Sequence, residues 1–427
     1  MKRTALKHIA AGLGLCTITM AAAASLAPAA SPTVPHWVDT WAAPPDSAGT
    51  PLPAMTIRQV VRTSIGGSSV RIRLSNLYGT GPVTIGPVHL AAHASGAAIR
   101  PGTDHALTFA GKPTVTIAKG SDVLSDPAVF PVNALEELAV TLYVQPGAGA
   151  STTHLVGLQT AFITPGADAV AAISFPRAKV DGSRYFLTDV EVATPSAAQT
   201  LVALGDSITD GAGSSADHNA RWPDALAVRL LNDPALAPVA VVNAGIVGNR
   251  ILHDGASPFL GPSALSRFDR DAIDKAGVHW VLVLEGINDI GAAGVLQTPE
   301  ANVSAEQIIG GMKALIARAH AKHLKIWGAT LTPFAGADAP YYTAAAEAKR
   351  QAVNHWIRSA GAFDAVVDFD QAMRDPAHPD RLQPAFDSGD HLHANDAGYR
   401  TMAAAIDLQL FAEDKWRAPT TRVAPGG

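Results

Sequence analysis

The chain has 427 residues, of which 48% are hydrophobic, and this is enough for a large core and for more than one domain. Charged residues make up only 16% and the formal net charge is −5. Nucleic-acid-binding proteins typically carry a basic excess or a basic stripe, so the composition argues against a nucleic-acid partner.

The N-terminus has the order of features that is typical of a secretory signal peptide. Lys2, Arg3 and Lys7 form a basic start, residues 9–24 are almost wholly apolar, and small residues follow up to Ala30. We predict a cleaved signal peptide over residues 1–30 and a secreted or periplasmic protein. The apolar run is short for a membrane span, so we expect no stable membrane anchor, although a retained anchor is the alternative interpretation.

The cysteine content argues against thiol chemistry in the mature chain. Cys16 is the single cysteine of the chain and lies inside the predicted signal peptide. The mature chain would therefore have no disulfide, no thiol nucleophile and no cysteine metal ligand.

Residues 36–195 have the pattern of a β-rich domain. Residues 70–75 (Val-Arg-Ile-Arg-Leu-Ser) alternate apolar and polar side chains, as a half-buried strand does, and residues 114–117 and 138–144 are similar. Glycine- and proline-containing turns separate these runs. We predict a β-sandwich-like domain over 36–195.

Residues 199–416 have a different pattern, in which apolar runs alternate with helical stretches. Near-continuous apolar runs are typical of parallel strands that helices cover on both faces. The predicted strands are 201–204, 239–242, 280–284, 325–329 and 365–368. The predicted helices are 221–232, 263–276, 303–323, 341–360 and 395–413. These elements predict an α/β domain with a doubly wound, five-stranded parallel sheet.

Polar or small residues that could take part in catalysis follow three of these strands. Ser207, in Gly205-Asp206-Ser207, stands where a strand turns into a helix N-terminus, which favours a nucleophile beside developing negative charge. Gly245 can offer a backbone N–H and Asn288 a side-chain amide N–H to an oxyanion. Each feature alone also fits a plain role, because such residues often serve only as turns or caps.

A fourth motif lies near the C-terminus. Asp390 and His393 are three residues apart, so the carboxylate can orient the imidazole while the ring takes a proton from a serine. A metal site at His391 and His393 is the alternative, but no further ligands with suitable spacing accompany them. We therefore predict no metal.

Together these residues predict an acyl-transfer site. Ser207 would attack an ester carbonyl, with His393 as the base and Asp390 orienting it. The backbone N–H groups of Ser207 and Gly245 and the side chain of Asn288 would form the oxyanion hole. Asp206 and Asp289 are expected to support the loops of the site.

The motifs resemble those of the GDSL esterases, also called SGNH hydrolases. The matching pieces are Gly205-Asp206-Ser207 with Ile208 in place of leucine, Gly245, Gly286-x-Asn288-Asp289 and Asp390-x-x-His393. The resemblance implies a three-layer α/β/α sandwich with a flavodoxin-like sheet, the same catalytic and oxyanion roles, and no cofactor. His391 and Ala394 depart from the residues common in the last motif, but neither position carries a catalytic atom.

The β-rich N-terminal domain narrows the functional hypothesis. Its combination with this catalytic domain resembles a bacterial subgroup of acylhydrolases found with xylan-degrading genes. We expect a secreted serine esterase that cleaves short-chain acyl esters, acetyl esters above all, with acetylated plant polysaccharide as the candidate substrate. The alternatives are a lysophospholipase or lipase, and a polysaccharide-binding protein whose hydrolase domain is inactive. The inactive form would be expected to lack one of the four key side chains, and none is missing.

Overall fold

The computed structural model describes Met1 and residues 35–166, 168–194, 197–236 and 238–412. Apart from Met1, the predicted signal peptide lies outside these residues. Among the described residues, no helix combines the length and the apolar character that a membrane crossing needs.

The first part of the described chain is rich in antiparallel strands, as predicted. Its strands are β1 (His36–Ala42), β2 (Ser47–Pro51), β3 (Met55–Arg62), β4 (Val70–Ser75), β5 (Val83–Ser95), β6 (Ala98–Ile99), β7 (His105–Leu107), β8 (Val115–Ile117), β9 (Asp122–Leu124), β10 (Glu137–Val144), β11 (Ala150–His154), β12 (Ala161–Pro165), β13 (Lys179–Asp181), β14 (Arg184–Tyr185) and β15 (Leu187–Thr194). One sheet has the order β1-β15-β4-β9, a second β13-β12-β3-β10-β5-β6, and a third β14-β11-β2. Strands β7 and β8 also pair with β5.

Alternating side chains build the core of this region. In β4, Val70, Ile72 and Leu74 are fully buried, whereas Arg71 and Arg73 between them are partly exposed. The buried set packs with apolar side chains of the second sheet in one cluster. Because side chains of a strand point alternately to its two faces, this pattern fixes which face turns inward.

The second part of the described chain contains the predicted five-stranded parallel sheet. Its strands are β16 (Gln199–Gly205), β17 (Val239–Gly245), β18 (Val278–Leu284), β19 (Lys325–Ala329) and β20 (Ala365–Val367). The spatial order β17-β16-β18-β19-β20 is the flavodoxin-like order, in which the chain starts inside the sheet and winds outward in both directions. The fold class is therefore confirmed.

Helices connect these strands. They are α1 (Ser207–Asp210), α2 (Trp222–Leu231), α3 (Ala264–Phe268), α4 (Ile287–Leu296), α5 (Ala305–Ala321), α6 (Ala344–Ser359), α7 (Phe369–Met373) and α8 (Asp396–Ala404). Single turns of other helix types are found at Pro258–Leu260, Asp269–Ile273, Pro299–Ala301 and Leu408–Phe411.

Two predicted helices are shorter than expected, and two helices, α4 and the short α7, were not predicted. The helix predicted over 263–276 ends at Phe268 and continues as a π-helical turn over Asp269–Ile273. The helix predicted over 395–413 ends at Ala404. Helix α4 was missed because Gly291 and Gly294 lower its intrinsic helix propensity. The structure needs both glycines, since an added Cβ would lie 2.3 Å from the Tyr341 ring and 1.9 Å from the Pro340 carbonyl oxygen.

The two regions are in direct contact, and the described residues between 35 and 412 belong to one compact unit. Strand β1 packs beside the edge strand β17, and the Val241 N–H donates to Ser64 Oγ over 3.0 Å. The Ala276 N–H donates to Asp39 Oδ2 over 2.7 Å, and Lys275 pairs with the buried Asp189. The predicted domains 36–195 and 199–416 thus share an interface, and the boundary between them stays a prediction.

Candidate active site

Ser207 is the first residue of a one-turn helix that begins directly after β16. Asp206 caps this helix, because its Oδ1 accepts the Ile208 N–H over 2.9 Å. The turn is tight: an added Cβ on Gly205 would lie 2.5 Å from the Leu284 carbonyl oxygen. Ser207 is therefore held at the carboxyl edge of the sheet, where open α/β folds bind their ligands.

The structure brings Asp390 and His393 to the same edge. The loop before α8 carries both residues, and it places His393 Nε2 2.8 Å from Ser207 Oγ. On the other side of the ring, Nδ1 lies 2.6 Å from Asp390 Oδ2. A carboxylate at Nδ1 favours the tautomer with its hydrogen there, which leaves Nε2 free to accept the serine hydroxyl.

Asp390 is held as a charged carboxylate. Its Oδ1 accepts the backbone N–H groups of Leu392 and His393 over 3.0 and 2.8 Å. Partial burial acts to raise its pKa, but the hydrogen bonds from His393 and Leu392 outweigh burial and lower the pKa well below the usual range. Asp390 therefore remains an anion at the pH values at which His393 would act as a base.

The two histidines of this loop bind different carboxylates. His391 Nδ1 lies 2.5 Å from Asp387 Oδ2, whereas His393 faces Asp390. His391 also has a positive φ of 63°, a backbone conformation that residues other than glycine rarely adopt. No group of three or more side chains placed to hold a metal ion is found among the described residues.

The predicted oxyanion hole needs a correction at Gly245. Its backbone N–H donates to Asn243 Oδ1 over 2.8 Å, so this donor is already used inside the protein. Gly245 instead allows β17 to approach α1, because an added Cβ would lie 2.2 Å from the Asp210 nitrogen.

A second glycine of the same loop has the free donor that Gly245 lacks. Within the described residues, no hydrogen bond uses the N–H of Gly248 or that of Ser207. Gly248 has a φ of 70° and precedes Asn249, whose carbonyl oxygen accepts Asn288 Nδ2 over 2.9 Å. Gly248 was not predicted as a donor, although it stands three residues after Gly245 in the same strand-end loop.

Asn288 is fixed by a tyrosine that the sequence did not point to. The Tyr341 hydroxyl donates to Asn288 Oδ1 over 2.9 Å, and Asn288 Nδ2 uses one of its two hydrogens on Asn249. The amide oxygen is thereby held on the tyrosine side, and the second Nδ2 hydrogen remains for a ligand. Tyr341 comes from the segment before α6, which no motif marks.

Three buried carboxyl groups lie beneath the site. Burial, which outweighs the hydrogen bond from Ile208, raises the pKa of Asp206 to about 7. Burial likewise raises the pKa of Asp289 to about 6, although Asp289 accepts the N–H groups of Ile251 and Leu252 over 2.7 and 3.1 Å. Asp206 and Asp289 thus support loops of the site, which is the role the sequence suggested.

The third carboxyl group, Glu285, was missed. It directly follows β18, and burial with the nearby charge of Asp206 raises its pKa well above the ordinary value. The buried Arg267 lies 3.7 Å from Glu285 and also donates to the Gly205 and Ala244 carbonyl oxygens over 2.9 and 2.7 Å. Arg267 therefore joins the ends of β16 and β17 to the acidic cluster.

A comparison with known protein families finds one match. Residues 203–401 match the family model described as GDSL-like lipase/acylhydrolase. No curated protein matches the chain. Similar solved structures include the native aryl esterase of M. smegmatis, with 17% identity, 50% of this chain and 99% of that chain covered, and a TM-score of 0.39.

Two further structures are similar at the same level. A catalytic mutant of an acetylxylan esterase from Geobacillus stearothermophilus has 20% identity, coverage of 48% of this chain and 91% of that chain, and a TM-score of 0.37. A GDSL-like lipase from Bacteroides thetaiotaomicron has 21% identity, coverage of 50% and 88%, and a TM-score of 0.38. The family assignment rests on the matched residues 203–401.

Proposed function

We propose that this carboxylic ester hydrolase, whose residues 203–401 match the GDSL-like lipase/acylhydrolase family model, cleaves short-chain acyl esters with Ser207 as its nucleophile. The observation that carries this proposal is the continuous chain of contacts from Ser207 Oγ to His393 Nε2 at 2.8 Å and from His393 Nδ1 to Asp390 Oδ2 at 2.6 Å.

The proposed reaction has two steps. Ser207 Oγ attacks the ester carbonyl carbon while its proton passes to His393 Nε2. The tetrahedral intermediate then loses the alcohol, whose oxygen takes the proton from His393, and an acyl-Ser207 enzyme remains. A water molecule repeats the attack with His393 as base, which releases the carboxylic acid and restores Ser207. Asp390 keeps the ring oriented and stabilises its cationic form throughout.

For the oxyanion we propose the N–H groups of Ser207 and Gly248 and the free amide hydrogen of Asn288. This proposal replaces Gly245, whose N–H is bound to Asn243. Each such donor typically contributes a few kcal/mol to the stabilisation of the intermediate, or about 100-fold in rate. The helix N-terminus at Ser207 adds a favourable dipole.

We further propose that the protein is exported and acts on acetylated polysaccharide. The charged, apolar and small-residue order of residues 1–30 supports export. The β-rich region before the hydrolase domain supports the proposal of a polysaccharide substrate, because the combination of the two resembles acylhydrolases found with xylan-degrading genes. A lysophospholipase or lipase would instead prefer long acyl chains.

The test is acetate release from acetylated xylan by the wild-type protein and by Ser207→Ala, with p-nitrophenyl acetate as the common control substrate. We expect the wild type to act on both substrates and the variant on neither. Equal rates for the two proteins on the control ester would overturn the role of Ser207. If only the wild type cleaves p-nitrophenyl acetate and neither protein releases acetate from xylan, the esterase activity stands and the polysaccharide substrate is ruled out.

A further inference from the structure

A buried histidine of the β-rich region contacts the helix that carries Ser207. His154 is the last residue of β11 and is only 4% exposed. Its Nε2 lies 3.1 Å from Oδ1 of Asp210, which is the fourth and last residue of α1. The contact thus joins the antiparallel region to the proposed nucleophile helix through two buried side chains.

The geometry around His154 requires a cationic ring. Nδ1 lies 2.9 Å from the Pro44 carbonyl oxygen, and Nε2 lies 3.2 Å from the Val156 carbonyl oxygen. Carbonyl oxygens can only accept, so both ring nitrogens must carry hydrogen. The ring is therefore an imidazolium, and the carboxylates of Asp210 and Asp46, the latter 3.8 Å from Nδ1, balance its charge.

The pKa of His154 agrees with this geometry. Burial acts to lower the pKa, but the charge and hydrogen bond of Asp210 and the charge of Asp46 outweigh burial and raise it to about 9. Among the described residues, two arginines, Arg184 and Arg221, line the same small cavity as His154 and Asp210 and are further charged groups near the pair.

Helix α1 depends on such outside contacts. It has a single turn, and helices of this length are not stable by themselves. From the parallel sheet it is held by Asn243, whose Nδ2 donates to the Thr209 carbonyl oxygen over 2.6 Å. From the β-rich region it is held by His154.

The chain that leaves α1 is also held by the β-rich region and runs past the proposed base. An added Cβ on Gly213 would lie 3.2 Å from the His393 Cβ, so this segment touches the catalytic histidine. Four residues later, Asp217 Oδ1 and Oδ2 accept the backbone N–H and the hydroxyl of Thr160 over 2.6 and 2.7 Å. The β-rich region thus holds both ends of residues 210–217.

We propose that His154 is a positioning residue, whose buried cationic ring holds Asp210 and thereby keeps Ser207 Oγ within hydrogen-bond distance of His393. The β-rich region then completes the active site without supplying a reacting group. This inference rests on the proposed function, in which Ser207 is the nucleophile. An error of about 1 Å in such a site can lower the rate about 100-fold.

The experiment compares wild type, His154→Gln and Asp210→Asn with a matched control, His89→Gln. His89 pairs with Asp104 in the same region, over 2.8 Å, and among the described residues this is the hydrogen-bonded ion pair that its side chain makes. The readouts are kcat and KM for p-nitrophenyl acetate and the rate constant for labelling of Ser207 by a fluorophosphonate. This rate constant is measured per reactive molecule, so it does not depend on the fraction that is folded.

We expect His154→Gln and Asp210→Asn to lower kcat and the labelling rate about 10- to 100-fold, with KM within about twofold of wild type. His89→Gln should match wild type. In wild type, kcat should fall as the pH rises above about 9, where His154 loses its proton, and this fall should be absent in His154→Gln. A purely structural role would not remove this part of the pH profile.

Three results would overturn the proposal: kcat of His154→Gln within twofold of wild type, an equal loss in His89→Gln, or an alkaline fall that persists in His154→Gln. If His154→Gln fails to fold, Asp210→Asn and the labelling rate decide by the same limits. Failure of the proposed function would appear separately, as wild type that the fluorophosphonate does not label or as full activity in Ser207→Ala.

Discussion

The antiparallel and the parallel region place their charged side chains differently. Below the parallel sheet edge, Asp206, Glu285 and Asp289 form a buried acidic cluster with Arg267. In the β-rich region, the buried Asp39, Asp189 and His154 lie instead at the contact with the other region. These three acidic groups of the parallel region thus lie under its reactive edge, whereas the three named groups of the β-rich region lie where it touches its neighbour.

The difference follows from strand direction. Parallel strands all end at one edge of the sheet. Three of them end at or just before Asp206, Gly245 and Glu285, so these residues lie close together at that edge. Antiparallel strands end at alternate edges, so no such convergence occurs. We therefore expect the β-rich region to influence the chemistry through its contacts with the parallel region.

The largest expected effect is the loss of the proposed base. His393→Ala should lower kcat by about 10⁴-fold or more, because Ser207 loses the group that accepts its proton. The matched control is His391→Ala, which removes the neighbouring histidine that binds Asp387. We expect the control to stay within about tenfold of wild type in an assay with p-nitrophenyl acetate. Equal losses of kcat in the two variants would mean that either change disturbs the loop, and would contradict a specific role of His393 as the base.

The next prediction concerns the stability of the reactive edge. Arg267→Met should lower the free energy of unfolding by about 3–5 kcal/mol, because the buried Glu285 would lose its cation and the Gly205 and Ala244 carbonyl oxygens would lose their donor, whereas Asp271 would keep Arg270. Urea unfolding gives the comparison. Arg318→Met, which removes a partly exposed pair with Asp269, should cost about 1 kcal/mol or less. A small effect of Arg267→Met would mean that the acidic cluster is neutral and needs no cation.

The sequence was sufficient for the part of the site that strand ends carry. Ser207 and Asn288 follow apolar runs, and Asp390 and His393 share one short motif, so their positions follow from local pattern and topology. Gly245 was assigned the wrong role because its hydrogen bond to Asn243 depends on a side-chain rotamer. Local patterns do not encode which of two nearby glycines keeps a free N–H.

Contacts between distant elements were the part that could not be predicted. Tyr341 reaches Asn288 across 53 positions, and His154 reaches Asp210 across 56, and neither residue belongs to a motif. Helix α4 was missed for a related reason, because its glycines are explained only by the Pro340 and Tyr341 that pack on them. Such residues become functional candidates only when the packing is known.

A pH titration of stability probes the contact between the regions. The pKa of His154 is raised from 6.5 to about 9, so the folded state binds this proton more tightly than the unfolded state. The contribution is fully present below pH 6.5 and is lost as the pH rises through about 9, and the whole loss is about 3 kcal/mol. His154→Gln should show a flatter decline of the unfolding free energy between pH 7 and 10. Parallel curves for the two proteins would contradict a buried imidazolium.

The smallest expected effect tests whether the helices around the parallel sheet are stabilised locally. Ser304 caps α5: its Oγ accepts the Gln307 N–H over 3.2 Å, and Gln307 Oε1 accepts the Ser304 N–H over 2.8 Å. Ser304→Ala should cost about 1 kcal/mol in urea unfolding, and Ser304→Gly only a few tenths of that. Neither change should alter kcat, because α5 contributes no residue to the site.

The Ser304 variants test whether different interactions stabilise the two regions. The described residues 35–194 contain no helix, so the β-rich region has no caps to lose and its stability must come from strand pairing and from its interface. A cap variant should therefore leave the pH dependence that His154 imposes unchanged, with only a constant offset in the unfolding free energy. If Ser304→Ala also changed the alkaline decline, the two regions would unfold through a coupling that the His154–Asp210 pair does not explain.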